Sequence, residues 1–83
     1  MAKVNATLIE DSLLEAGYSE LERLEYAVEY VRVQPTNEKR VYVDFTENSI
    51  AIDVYNAADR LISTEKIVVK HVSDLNRAAQ HLV

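Results

Sequence analysis

The side chains best equipped for chemistry in this sequence are two histidines, His71 and His81, with Asp74 between them. Hydrolysis of the serine–histidine–aspartate kind needs a nucleophile, a base and an orienting acid converging in space. His71 falls at the end of a predicted strand and His81 near the end of a predicted helix. Nothing local brings either to a serine in a strained turn, so both read as partly exposed surface residues. A metal site built on His71, Asp74 and His81 has poor spacing, because specific sites favour ligand pairs at i, i+3 or i, i+4, or a compact loop. Asp74 has a simpler role: an acid in the first turn of a helix complements its dipole. Asp44 and Asp53 lie on neighbouring predicted strands and could in principle form a carboxylate pair, but such catalysis needs a deep cleft. They read as a solvated sheet face that also carries Tyr42 and Tyr55. There is no cysteine, hence no thiol nucleophile and no disulfide, and the single glycine excludes a glycine-rich phosphate loop. The expectation is a protein with no catalytic residues, no metal and no cofactor.

Charge is the more informative signal. Residues 10–29 hold seven acids, Glu10, Asp11, Glu15, Glu20, Glu22, Glu25 and Glu29, against one base, Arg23. That window carries −6, more than the −5 of the whole chain, while residues 60–83 carry +2. Acidity so placed repels phosphate, so direct nucleic-acid binding is not expected. It attracts basic partners instead and can occupy a site meant for phosphate. The plainer reading is a solubilising face, since Glu is a good helix former. Exposed tyrosine is enriched at interfaces. Glu20, Glu22, Glu25 and Glu29, with Tyr26 and Tyr30, are therefore the candidate partner-binding residues. At least one of the two tyrosines could belong to the core.

The elements that must position these groups follow from periodicity. Ala6, Ile9, Leu13 and Ala16 recur at helical spacing, predicting a helix over 5–16 that Gly17 ends. Residues 19–33 are ambiguous. Ser19 with Glu22 spells a capping box, and Leu21, Leu24, Ala27, Val28 and Val31 would form an apolar helical stripe. Leu24, Tyr26, Val28 and Tyr30 also alternate as in a strand. The reading adopted is a helix from about Glu20 that takes on strand character near Tyr30. Residues 34–38 are a turn. Val41, Val43 and Phe45, then Ile50, Ile52 and Val54, alternate as the buried faces of a hairpin closed at Glu47 and Asn48. A turn over 56–60 precedes a long strand, 61–72. Ser73 then caps a helix over 74–82, with Leu75, Ala78, Ala79 and Leu82 on one face.

Eighty-three residues make one small domain. The order of elements predicts an α+β class: an antiparallel meander of three to four strands packed with an N-terminal helical region and a C-terminal helix. No apolar run approaches the roughly 18 residues of a spanning helix, and no secretory leader is evident, so the expected compartment is the cytoplasm. The function expected is non-enzymatic: an inhibitor or adaptor whose Glu-rich region docks on a basic, for instance nucleic-acid-binding, protein surface. In size and charge the chain falls among small acidic inhibitors encoded by phages, an analogy of class that no motif carries. The alternative is a structural or assembly subunit that self-associates, a homodimer being one form.

Overall fold

The computed structural model describes residues 4–83. A 3₁₀ turn, Ala6–Ile9, runs into α1, Glu10–Glu15. Five strands follow, β1 Ser19–Arg23, β2 Ala27–Val33, β3 Asn37–Asp44, β4 Ser49–Asn56 and β5 Leu61–Val68, and α2, Val72–Gln80, closes the chain. The strands pair antiparallel in sequence order, a meander. Both helices lie on one face of the sheet, and the other face has no cover among the described residues.

The class and the meander agree with expectation, but the sheet has five strands and not three or four. The extra strands come from residues 19–33, where the helical reading fails. Ser19 and Glu22 do not cap a helix; they belong to β1, and the chain reverses at Glu25 and Tyr26, with the Leu24 N–H donating to the Ala27 carbonyl at 2.7 Å. The physical reason is burial. A helix would have buried Leu21 and Leu24, which are 51% and 38% exposed. The hairpin instead turns Val28 and Tyr30 into the core, opposite Val43 and Val41 of β3. The branched and aromatic residues of β2 suit a pleated surface.

The inner face of the sheet is built by alternation: Val28 and Tyr30, Val41 and Val43, Ile50 and Ile52, and Ile67. Ala6, Ile9 and Leu13 meet it from the N-terminal segment, Ala78 and Leu82 from the C-terminal one. Phe45 and Val54, expected with this set, are only half-buried; Phe45 lies past the end of β3, in the β3–β4 turn, where it packs against the margin of the core.

Both helix ends follow local rules. Gly17 has φ +88°, a left-handed conformation that glycine adopts without strain. The Gly17 and Tyr18 N–H groups donate to the carbonyls of Leu14 and Leu13 at 3.1 and 3.0 Å, a Schellman closure of α1. The long strand predicted to reach Val72 stops at Val68. Ser73 lies inside α2, and His71, with φ −134° and ψ 160°, is the residue that precedes its first turn. Asp74 supplies the cap: its carboxylate accepts the N–H groups of Lys70 and His71 at 2.9 and 3.0 Å. Those bonds hold the Asp74 carboxyl below its ordinary range. A depressed folded pKa gives stability that is present above the unfolded pKa and lost as pH falls through the folded one. Asp74→Asn should therefore unfold at lower urea than wild type at neutral pH, and the gap should close in strong acid. A gap that persists in acid would show that the charge of Asp74 is not what stabilises α2.

The sheet also caps the far ends of the helices. Arg32 and Lys39 are cross-strand neighbours on its inner face, a like-charged pair that is unfavourable by itself. Each is directed to a helix C-terminus, where a cation is favoured. The Arg32 guanidinium donates to the Ala16 carbonyl at 3.0 Å and lies 4.8 Å above the Tyr18 ring. The Lys39 ammonium donates to the His81 and Val83 carbonyls at 3.2 and 2.6 Å. Burial, then the charge of Arg32, lowers the Lys39 pKa. The Tyr18 hydroxyl donates to the Leu82 carbonyl at 3.0 Å, so this corner fastens both helices to the sheet.

Candidate functional site

His71, Asp74 and His81 do not form a site. Asp74 is engaged as a helix cap, and His71 and His81 lie at opposite ends of α2, both exposed. Among the described residues no group of three His, Cys, Asp or Glu side chains converges as metal ligands would. Recesses of about 370 Å³ open beside the Pro35 turn and between the ends of the two helices. The first is lined by residues such as Asn37 and Asn56, the second by Ser12, Glu15 and Arg32.

The acidic window is divided by the fold. Glu10 and Glu20 face the helix side, where Arg23 pairs with both, at 3.0 and 2.7 Å. Glu10 also accepts from the Tyr30 hydroxyl at 2.5 Å. Burial, then that bond, pushes the Tyr30 pKa up to about 12. Tyr30, a candidate contact residue, is thus the core member of the tyrosine pair, at 3% exposure, and Glu20 shares the single charge of Arg23 with Glu10. Asp11 and Glu15 stand exposed on α1, on the covered side of the sheet.

Four of the candidates are accessible and outside the ion pairs among the described residues. Glu25 and Tyr26 form the β1–β2 turn, with Tyr26 52% exposed. Glu22 and Glu29 lie on the open face of the sheet, directly opposite each other in register. Glu29 in turn opposes Tyr42, whose neighbour on β4 is Ala51. Asp44 follows Tyr42 by two residues on the same face, so Glu22, Glu29, Tyr42 and Asp44 form one patch bordered by the Tyr26 turn. The proximity registers in the Tyr42 phenol, whose pKa is raised by desolvation first and then by Tyr26, Asp44, Glu29 and Glu22.

None of Glu22, Glu29 and Asp44 has an ion-pair partner among the described residues. Asp44 is partly occupied as a local turn former, accepting the Thr46 and Glu47 N–H groups at 2.8 and 2.9 Å. The other end of the open face differs: Arg40 pairs with Glu38 at 2.6 Å and lies 5.3 Å over the Tyr55 ring. The face is thus acidic and aromatic at one end, whereas at the other Arg40 stands between Glu38 and Asp53. Tyr42 and Asp44 were visible in the sequence as the polar side of a hairpin. That Glu22 and Glu29 extend this side is hidden by a helical reading from about Glu20 to Tyr30. Part of the acidic stripe suggested by the sequence, Glu22 and Glu29, thus shares one surface with the tyrosine-bearing sheet. Comparison with protein-family models, with curated proteins and with solved structures finds no match to this chain.

Proposed function

We propose that this protein acts without catalysis, as an inhibitor or adaptor that binds the basic surface of another protein through the open-face patch of Glu22, Glu29, Tyr42 and Asp44, with Glu25 and Tyr26 at its border. The observation that carries the reading is the opposition of Glu22 and Glu29 beside a half-buried tyrosine, with no cation paired to either among the described residues. Like charges directly opposite in a sheet cost stability. A Lys or Arg from a partner relieves that repulsion, and Tyr42 offers the cation a ring face. Phosphate would increase the repulsion, so the partner is a protein, including one whose basic surface otherwise binds nucleic acid. The surroundings in which such a partner is met are those expected from the sequence, the cytoplasm.

Affinity capture from the native host, with mass spectrometry, supplies the partner. Glu22→Lys with Glu29→Lys should then slow association strongly. Asp11→Lys with Glu15→Lys makes the same change of net charge on the covered side and should have a small effect. Salt should slow wild-type association as the Debye length shrinks from about 30 Å at 0.01 M to about 10 Å at 0.1 M. Glu22→Gln separates function from stability: the free protein should gain a few tenths of a kcal/mol while binding weakens. Equal effects of the two double reversals would reject the patch as the docking surface.

A further inference from the structure

The two edges of the sheet are not alike. β1 has five residues, an irregularity between Glu20 and Glu22, and three charges. Short length, irregularity and charge are what keep edge strands from pairing with other chains. β5 has eight residues, no proline, and one Glu and one Lys that cancel. Every side chain along it but Ile67 is exposed, with Leu61 at 53%, Ile62 at 59% and Val68 at 44%. Its irregularity falls at Ile62, and Ser63–Val68 pairs regularly with β4.

We propose that β5 is an interface between two copies of this chain, joined edge to edge by antiparallel pairing about a twofold axis at Thr64. A twofold axis normal to the sheet sets residues of the same face opposite each other, so the axis must pass through a residue and not between two. Centred on Ser63, the pairing sets Arg60 against Lys66. Centred on Glu65 or Lys66, it sets that residue against its own copy. Centred on Ile67, it needs Val69 and Lys70, which lie beyond the strand. Centred on Thr64, it sets Ser63 against Glu65 and Ile62 against Lys66, with Thr64 on Thr64 and no like charges opposed; the pairing spans Ile62 to Lys66 and stops there, because the irregularity at Ile62 leaves Leu61 on the open face while Ile67 is on the inner one. The Thr64 hydroxyl donates to Asp53 of its own sheet at 2.6 Å and the Lys66 ammonium is held by Glu47 at 2.5 Å, so what meets across the axis is the Thr64 methyl groups and the Lys66 stem beside Ile62.

The charge of β5 does not oppose a second copy, because Glu65 and Lys66 cancel along the edge. The acidic β1 edge lies four strand spacings away, roughly 19 Å. Two copies therefore meet at their least acidic edges and keep their acidic edges at opposite ends. Both open faces then look the same way.

The sequence has no cysteine, which makes the test clean. Sedimentation velocity of the wild type from micromolar to near-millimolar concentration should show a rising dimer fraction. Thr64→Cys should form a disulfide-linked dimer on mild oxidation, because directly opposed antiparallel positions lie within disulfide reach. Lys66→Cys should not, since its copy lies four residues along, roughly 14 Å away. Thr64→Lys, which places two ammonium groups on the axis, should return the protein to monomer with an unchanged circular dichroism spectrum. A wild type that stays monomeric throughout, or cross-linking no faster at position 64 than at 66, overturns the proposal.

Discussion

Asn48→Ala should destabilise this protein by about 2–4 kcal/mol, more than any other single change outside the hydrophobic core. Asn48 sits in the β3–β4 turn with φ 56°, in the left-handed region that asparagine tolerates better than most residues. From there its side chain reaches two other segments. Its Oδ1 accepts the Ala6 N–H at 2.7 Å, and its Nδ2 donates to the Val4 and Val69 carbonyls at 2.8 and 2.7 Å. Its backbone carbonyl accepts the Val69 N–H at 2.8 Å. One residue thus fastens the start of the N-terminal helical segment and the linker into α2 to the same turn. Alanine removes all three side-chain bonds, leaves their partners unsatisfied and adds left-handed strain. Asn48→Gly removes the bonds without the strain and should be milder by about 1 kcal/mol. Asn48→Asp keeps the acceptor for Ala6 but sets a carboxylate against two carbonyls, and should fall close to alanine. Urea midpoints measured at constant m-value would rank the three. A glycine variant as stable as wild type would show that the three bonds contribute nothing net.

The second large effect is expected at Leu13, and its neighbour is the control. Leu13 is 0% exposed at the centre of the core, whereas Leu14 is 59% exposed. Leu13→Ala should cost about 3–4 kcal/mol, the loss of transfer free energy plus the cavity left behind. Leu14→Ala should stay within about 0.5 kcal/mol. For a domain of this size such a loss at Leu13 lowers the melting temperature by more than about 10 °C. A domain this small has only several kcal/mol of stability to lose, so Leu13→Ala should be largely unfolded well below the wild-type midpoint. Comparable melting of the two variants would mean that α1 does not dock on the sheet through Leu13.

The expectation for Phe45 changes for the same physical reason. As the sole phenylalanine on an alternating strand it reads as a core anchor whose loss would cost about 3–5 kcal/mol. Its strand, however, ends at Asp44, and Phe45 begins the turn, only half-buried. The cost of truncation there should be smaller than at Leu13.

Much of this architecture is written in local pattern. Ala6, Ile9 and Leu13 at helical spacing, Gly17 as a stop, Val41 and Val43 against Ile50 and Ile52, and Ala78 with Leu82 all occupy the faces that their spacing implies. Such assignments hold because an amphipathic period leaves one way to bury its apolar residues, whatever lies opposite. The acidity of residues 10–29 is equally plain from composition.

What local pattern could not decide was residues 19–33, which fit a period of two and one near 3.6 almost equally well. The choice was made by the inner face of the sheet, where Val28 and Tyr30 complete a layer with Val43 and Val41 that a helix would have left open. That choice sent Glu20 to an ion pair, buried Tyr30, and set Glu22 against Glu29 on the uncovered face beside Tyr42. The sum of the charges belongs to the sequence. Which carboxylates are neutralised and which are left facing outward depends on strand register, and register is set by long-range burial that no local window contains.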